Sequence, residues 1–251
     1  NNSTIFLFEH LSKGNVNSTN LTINTFNTIT QMWTNPNISG NLPQPRQEMV
    51  AVVDKAGKIY ISCGYEPFVT QKTHNDTYIL DSMSLTWYNG PPAPVSRSDY
   101  TATLLSNGVI VYIGGTNDDG AQEIKMNNIT IYNTNNGSWS TMIASGDYIS
   151  DRQSHSAVLS KDGFIIIYGG GASISVGKFD ITTNPNNKIY LMDTSNYTWV
   201  SSIPTTTTAT DVPTTTISIP KSTNVISPVS NSSSTPLIPV LCSSLSSVVI
   251  I

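Results

Sequence analysis

Residues 97–115 read RSDYTATLLSNGVIVYIGG, and residues 127–139 read NNITIYNTNNGSW. Two apolar runs flank Asn107-Gly108, a dipeptide that favours a two-residue hairpin turn between antiparallel strands. The pattern predicts four strands, a to d, at Tyr100–Leu105, Val109–Gly115, Asn128–Tyr132 and from Trp139 onward. This stretch therefore predicts one four-stranded antiparallel sheet.

Rare residue types show that this unit recurs along the chain. Each of the four tryptophans follows an Asn or Asp by six positions, and each of the three arginines precedes a Gly by 18 positions. The repeat residues are Trp33, Trp87, Trp139, Trp199, Arg46, Arg97, Arg152, Gly64, Gly115 and Gly170. The period of about 51 to 60 residues is typical of the longer propeller-blade repeats rather than of helical solenoids.

These residues resemble the kelch motif, which has an Arg before strand a, a diglycine closing strand b and a Trp in strand d. The diglycine is present as Gly114-Gly115 and Gly169-Gly170, whereas the first full copy has Cys63-Gly64. The resemblance covers roughly residues 1–203. It implies a β-propeller related to the kelch and galactose-oxidase central-domain superfamily.

Each residue type of the repeat has a physical role in a propeller blade. Paired glycines let two backbones approach closely or take a positive φ where strand b ends. The large Trp side chain is expected to fill the wedge between neighbouring blades. The Arg guanidinium offers five donors and is expected to bond neighbouring backbone carbonyls. No segment has a sustained 3.6-residue periodicity, so almost no helix is expected.

The N-terminal copy is predicted to be partial. Ile5–Phe8 is interpreted as strand b and Leu21–Phe26 as strand c, with no strand a before them. The predicted fold is thus all-β: an incomplete kelch-type propeller of three four-stranded blades plus a partial N-terminal blade. We expect the intact protein to carry further blades upstream, because propellers close with four to eight.

The composition changes after the last Trp. We assign residues 1–203 to the propeller, 204–236 to a disordered Ser/Thr/Pro-rich stalk and 237–251 to an apolar tail. The tail is interpreted as the start of a transmembrane helix, as a GPI signal, or as a merely apolar, disordered end. The rival hypothesis is that the C-terminal region donates a closing strand, with Thr214–Ile219 as the β-branched candidate.

Composition also limits location and partners. Charged residues make up 11% of the chain and the net charge is −4, which disfavours a nucleic-acid partner. Ten Asn-X-Ser/Thr sequons, the stalk and the apolar tail together predict a cell-surface, membrane-anchored or secreted glycoprotein.

Enzymatic chemistry is not indicated, and we predict no catalytic residue, cofactor or metal site. The related oxidases hold copper with two Tyr and two His, including an adjacent Tyr-His pair that this sequence lacks. Its three histidines lie far apart in sequence. His155 is interpreted as a packed core residue, and His10 and His74 as ordinary surface residues. Cys63 is interpreted as a small buried residue.

The predicted function is a non-catalytic kelch-repeat scaffold that binds an unknown protein or carbohydrate. The distance from the repeat Gly to the Asn preceding strand c varies as 11, 12 and 17 residues, so the b–c loops vary most. The alternative is a fragment of a galactose-oxidase-like copper-radical oxidase whose catalytic blades lie outside this sequence. The candidate contact residues are Tyr65, Phe68, His74, Asp118, Asp119, Glu123, Lys178 and Phe179.

Overall fold

A computed structural model describes residues 4–9, 21–67, 70–117, 122–171, 173–176, 179–182, 188–202 and 247–250. Every regular element in these ranges is a β-strand. The chain divides into two units: residues 1–202 with 244–251, and residues 203–243, which lie outside the described part. The predicted all-β fold is confirmed. No helix within those ranges has the length and apolar character needed to cross a membrane.

Within the described ranges, twenty-four strands form four large sheets, the blades, and three small hairpins. The strands before the third blade are β1 (Thr4–Glu9), β2 (Thr22–Asn27), β3 (Met32–Thr34), β4 (Ser39–Gly40), β5 (Ala51–Val53), β6 (Lys58–Ser62), β7 (Tyr65–Glu66), β8 (Lys72–Thr73), β9 (Thr77–Asp81) and β10 (Thr86–Gly90). The strands of the third blade and its hairpin are β11 (Thr101–Leu104), β12 (Val109–Ile113), β13 (Thr116–Asn117), β14 (Gln122–Glu123), β15 (Asn128–Asn133) and β16 (Ser138–Ile143). The remaining strands are β17 (Ser145–Gly146), β18 (Gln153–Leu159), β19 (Phe164–Gly171), β20 (Ser173–Val176), β21 (Phe179–Thr182), β22 (Ile189–Asp193), β23 (Thr198–Val200) and β24 (Ser247–Ile250).

The blades have the predicted a-b-c-d order. Blade 2 is β5-β6-β9-β10, blade 3 is β11-β12-β15-β16 and blade 4 is β18-β19-β22-β23, all antiparallel. Short parallel strands β4 and β17 cover the outer edges of β10 and β23. Covering an edge strand removes a row of unpaired backbone groups. The predicted strand positions in blade 3 are confirmed to within two residues.

The a–b turns differ from the predicted two-residue form. In blade 3 the N–H of Gly108 donates to the carbonyl of Leu105 at 3.1 Å, and the N–H of Leu105 donates to the carbonyl of Val109 at 2.7 Å. Within this loop only Gly108 has a positive φ, +83°. A type I′ turn needs positive φ at two residues, so this is a three-residue loop that ends in a left-handed Gly. Gly57 and Gly163 close the same loop in blades 2 and 4.

The N-terminal blade has a fourth strand that comes from the other end of the chain. In blade 1, β24 pairs antiparallel with β1, so the sheet order is β24-β1-β2-β3. Strand β24 occupies the position of the strand a that the sequence lacks upstream. Residues 247–250 of the predicted apolar tail form this strand, because the free edge of β1 accepts an apolar, β-branched segment. The predictions for residues 204–246, including Thr214–Ile219, concern residues outside the described part.

Buried side chains lie between consecutive blades. We call the face of a blade that carries its strand-d Trp the leading face, and the opposite face the trailing face. The trailing face of blade 1 packs on the leading face of blade 2, where Phe8 meets Trp87 at 6.3 Å between ring centroids. Blades 2 and 3, and then blades 3 and 4, pack in the same sense. The described residues thus form three interblade cores.

The prediction that Trp fills the space between neighbouring blades is confirmed for blades 2, 3 and 4 and is wrong for blade 1. Trp87 and Trp199 are buried, and Trp139 is partly buried with its indole N–H donating to the carbonyl of Pro91 at 2.9 Å. Trp33 in blade 1 is 58% exposed and contacts Phe26 of its own blade. The difference arises because no described blade covers the leading face of blade 1.

The diglycine positions confirm the expected close approach of backbones. Gly115 has φ +88°, and a Cβ added there would lie 2.4 Å from the carbonyl oxygen of Ser98. Its N–H donates to the carbonyl of Arg152 in the next blade at 3.0 Å, and Gly64 bonds to Arg97 in the same way at 2.8 Å. A side chain at this position would disturb the backbone contact that joins two blades.

The repeat arginines are buried, and two of the three follow the prediction. Arg46 donates to the carbonyls of Gln44 and Cys63, and Arg152 donates to those of Ser150 and Gly169, at 2.9 to 3.1 Å. Arg97 departs from the pattern: it donates to the hydroxyl of Thr130 at 2.6 Å, and its Nη1 has no hydrogen-bond partner among the described residues.

Candidate functional site

The b–c connections are folded hairpins that project beyond strands b and c of blades 2, 3 and 4. The pairs are β7–β8, β13–β14 and β20–β21, and the strands of the last pair are twice as long as the others. These hairpins account for the variable spacing in the sequence. The extra residues lengthen a hairpin and leave the blade register unchanged.

Segments that connect strand d to the next strand a lie beside these hairpins. Gln47 and Tyr65 exchange two backbone hydrogen bonds of 2.8 and 2.9 Å, and Ser98 and Thr116 exchange two of 2.9 Å. The b–c hairpins and the d–a segments therefore share one end of the blades. We call this surface the b–c end.

A buried carboxylate fixes the hairpin of blade 2. Glu66 is buried, and its Oε2 accepts hydrogen bonds from the hydroxyl of Thr70 at 2.9 Å and from the N–H of Gln71 at 3.3 Å. The N–H of Thr70 also donates to this oxygen. Charge-assisted bonds of this kind hold a loop in one conformation. The sequence pattern did not single out Glu66, because its partners lie across the tip of the hairpin.

His74 lies at the base of this hairpin and is less exposed than predicted. Its Nδ1 is 3.9 Å from Oδ2 of Asp76, which accepts a hydrogen bond of 2.9 Å from Arg46. Burial, followed by the nearby Arg46 cation, lowers the pKa of His74. The imidazole is therefore neutral at pH 7. The interpretation of His74 as an ordinary surface histidine is wrong, since only 17% of its side chain is exposed.

An exposed cation and an exposed aromatic ring lie near the hairpin of blade 3. Lys125 donates to Asp151 on the adjacent d–a segment at 2.7 Å, and the hydrogen-bonded carboxylate raises the pKa of Lys125. The other oxygen of Asp151 accepts the N–H of Met126 at 3.1 Å. Tyr148 on the same d–a segment is among the most exposed aromatic side chains described. This part of the b–c end offers charge and an apolar ring on a fixed backbone.

The predicted contact residues are only partly accounted for. Tyr65 and His74 lie together on the hairpin of blade 2, and Glu123 lies in β14 of blade 3. Phe179 begins β21, of which the backbone alone is described. The other candidates, Phe68, Asp118, Asp119 and Lys178, lie outside the described residues. Lys125 and Tyr148 are additional b–c-end residues that sequence spacing did not identify.

Two residues considered for chemistry are packed inside the protein. Cys63 is buried, and burial raises the pKa of its thiol to about 11, which opposes formation of the reactive thiolate. His155 is buried, and its Nε2 lies 3.0 Å from the hydroxyl of Thr101. Both core interpretations are confirmed. No group of three metal-ligating side chains occurs among the residues described, and His10 lies outside them.

A family model described as the KLHDC2/KLHL20/DRC7 Kelch-repeats domain matches residues 3–221. The chain is a kelch-repeat protein. Kelch domain-containing protein 3 of Rattus norvegicus is 32% identical over 154 residues, covering 58% of this chain and 39% of the relative. Kelch domain-containing protein 1 of Mus musculus is 30% identical over 155 residues, covering 59% of this chain and 36% of the relative. The kelch alignments thus span well under half the length of these relatives.

Membership of the kelch family supports a non-catalytic repeat scaffold. It also explains the Arg, Gly and Trp positions as one structural motif, repeated where blades meet. The b–c end lies outside that motif, and there the kelch blades of this chain differ from one another.

Proposed function

We propose that this kelch protein binds a partner protein through the b–c end, with the blades acting as a rigid support. One observation carries the proposal: three hairpins of unequal length stand on repeats whose strand register is constant. Binding residues are commonly placed on variable loops held by a rigid scaffold. The hydrogen bonds from Thr70 and Gln71 to Glu66 hold these residues of the hairpin in place, which lowers the entropy lost when a partner is bound.

The surface chemistry suits a polypeptide partner. Tyr148 supplies an exposed aromatic anchor, Lys72 supplies exposed positive charge on the hairpin of His74, and Lys125 is an exposed cation paired with Asp151 on blade 3. Aromatic anchors surrounded by polar groups are typical of protein interfaces. The expected partner segment is acidic or neutral, with at least one apolar side chain.

A displayed peptide library can test this function with the full chain as bait. Selected peptides should lose at least tenfold in affinity when Tyr148→Ala and Lys125→Ala are combined. The matched control is Met83→Ala, an exposed residue in the c–d turn of blade 2, at the opposite end of the strands from the b–c end. Equal binding to the parent chain, the double variant and Met83→Ala would show that the b–c end is not the binding surface. A glycan array probed with the same chains would show whether the ligand is a carbohydrate instead.

We also propose that the protein is secreted. Support comes from the Ser/Thr/Pro-rich residues 204–236 and from exposed sequons at Asn136 and Asn196 in the c–d turns. The pairing of Ser247–Ile250 with β1 competes with membrane anchoring through the same apolar segment. An electrophoretic shift of the native protein after N-glycosidase treatment is expected. An unshifted protein found in a cytosolic fraction would contradict this location.

A further inference from the structure

A short segment, which we call a cover, pairs with the outer edge of strand d in blades 2 and 4. Ser39-Gly40 runs parallel to the start of β10, and Ser145-Gly146 runs parallel to the start of β23. In each cover the Ser hydroxyl hydrogen-bonds to the hydroxyl of the first strand-d residue, Thr86 at 3.0 Å and Thr198 at 2.9 Å. The second residue has to be Gly, because a Cβ there would overlap the carbonyl oxygen of the strand-d Trp.

Strand d of blade 3 has no such cover. Among the described strands, none pairs with the outer edge of β16 along its whole length, Ser138–Ile143. The connection that precedes blade 3 is shorter, since its repeat Arg follows the preceding Trp by 10 positions, against 13 before blades 2 and 4. It also contains Pro91 and Pro92, which have no backbone N–H to donate. The open edge therefore belongs to an interior blade and to a connection that the structure describes in full.

The side chains of β16 reflect the missing cover. Ser138, Ser140, Thr141 and Ile143 are exposed and Trp139 is half-buried, whereas the strand-d Trp of both covered blades is buried. The strand contains no charged residue and no proline, which are the residue types that commonly protect an edge strand from pairing. This edge is thus accessible and is not protected by its own sequence.

The pairing of β16 with β15 shows which backbone groups face outward. The N–H of Ala144 donates to the carbonyl of Asn127 at 2.7 Å, which continues the register of the ladder. Hydrogen-bonded pairs alternate along an antiparallel ladder, so the N–H and C=O groups of Trp139 and Thr141 point away from β15. These groups form a row with which one further strand can pair.

We propose that the open edge of blade 3 binds an extended segment of a partner protein that runs parallel to β16 and carries Ser or Thr followed by Gly. The two covers supply this chemistry. The hydroxyl of the segment bonds to Ser138, the counterpart of Thr86 and Thr198, and its Gly lies beside Trp139. A strand added to a sheet edge gains affinity from main-chain hydrogen bonds and specificity from side chains at fixed positions. The site shares no residue with the b–c end.

Fluorescence anisotropy tests this proposal with the full chain and a labelled, end-capped peptide of residues 36–42, PNISGNL. Saturable binding is expected at micromolar to millimolar concentration. The peptide with Ala in place of its Gly should bind at least tenfold more weakly, because the added Cβ would meet the carbonyl oxygen of Trp139. A peptide of the same composition in scrambled order is the control. No binding at millimolar concentration, or equal binding of the Gly and Ala peptides, would overturn the proposal.

Variants of the chain locate the bound peptide. Replacing residues 94–96 by the sequence of residues 145–151 gives blade 3 the connection that covers blade 4, and should abolish binding. Thr141→Pro removes one outward N–H from an edge strand and should weaken binding at least threefold. The b–c-end pair Tyr148→Ala with Lys125→Ala is the matched control and should bind like the parent chain. Binding lost in this control alone would assign the peptide to the b–c end and overturn the proposal. Circular dichroism checks that each variant is folded.

Sedimentation velocity on the parent chain distinguishes a partner segment from a second copy of the chain. The proposal expects that the edges of two chains do not pair with each other. A dimer that Thr141→Pro dissociates would show that a second copy occupies this edge, and would overturn the proposed partner.

Discussion

Trp87 and Trp33 hold the same position in the repeat but lie in different surroundings. Each lies in strand d, six residues after its Asn or Asp, yet Trp87 is 2% exposed and Trp33 is 58% exposed. Phe8 of blade 1 covers Trp87, whereas no described blade precedes blade 1. A repeat motif therefore determines where a side chain lies in its blade, and the neighbouring blade determines whether it is buried.

The largest effect on stability is expected from removing one of these two tryptophans, Trp87. Trp87→Ala should lower the free energy of unfolding by about 3–5 kcal/mol, because it removes a buried side chain and leaves a cavity. Trp33→Ala should cost less than about 1 kcal/mol in dilute protein, since water already contacts most of the ring. Urea denaturation of both variants measures the difference. If the two variants lost the same free energy of unfolding, another surface would have to cover Trp33 of blade 1 in solution.

Residue identity predicted the interior of the blades better than their edges. The strands, the Arg97-to-Gly115 spacing and the core positions of Cys63 and His155 follow from periodicity and residue size, which act within one repeat. A closing strand from the C-terminal region was predicted only as the rival hypothesis and with Thr214–Ile219 as its candidate, because residue patterns do not show which of two segments more than 230 residues apart will pair. His74 was misjudged because its burial depends on Arg46, Asp76 and a hairpin that loop length alone does not specify.

A buried histidine makes the interface between blades 3 and 4 sensitive to acid. Burial, followed by the Arg152 cation, lowers the pKa of His155 from about 6.5 to about 4 in the folded protein. The folded state thus favours the neutral ring, so stability is complete above pH 6.5 and falls as the pH approaches 4. The shift corresponds to about 3 kcal/mol lost at the acid end.

Comparison with His155→Gln isolates this contribution from the titration of other groups. The variant keeps a polar group near Thr101 but cannot become charged. Its stability should therefore decline less than that of the parent chain between pH 6.5 and 4. Parallel pH profiles from thermal melts would show that His155 does not carry the acid sensitivity of this interface.

Two glycines with similar backbone angles separate steric close approach from backbone strain. Gly115 has φ +88°, and a Cβ added there would lie 2.4 Å from the carbonyl oxygen of Ser98, whereas Gly163 has φ +83° in an a–b turn. A Cβ at Gly163 would find its nearest neighbour, Oγ1 of Thr194, at 3.6 Å. The strain is shared, so Gly115→Ala should cost about 1–3 kcal/mol more than Gly163→Ala. Similar melting temperatures for the two variants would contradict the close approach.

The repeat Asn or Asp provides a contrasting case, a position whose side-chain oxygen accepts hydrogen bonds from the c–d turn of its own blade. The side-chain oxygen of Asn27 accepts the N–H groups of Ile29 and Thr30 at 2.9 Å, and that of Asn133 accepts the N–H of Asn135 at 2.9 Å. Both turns are exposed to solvent and involve no other blade. The sequence showed this column clearly, and the structure explains it as a cap on the c–d turn.

The smallest effect on stability is expected from removing this cap, and it tests whether blade 1 is as well folded as the interior blades. Asn27→Ala in the first blade and Asn133→Ala in an interior blade should each cost about 1 kcal/mol, the usual net value of a lost hydrogen bond. Asn27→Ala should cost at least as much as Asn133→Ala, because Asn27 accepts two N–H groups and Asn133 one, and because the caps act inside one turn and do not depend on a neighbouring blade. Urea denaturation of the two variants, beside Trp33→Ala and Trp87→Ala, measures all four. If Asn27→Ala were nearly free while Asn133→Ala were costly, blade 1 would be frayed as a whole. The exposure of Trp33 would then reflect weak folding of that blade, and not an uncovered face on a well-formed sheet.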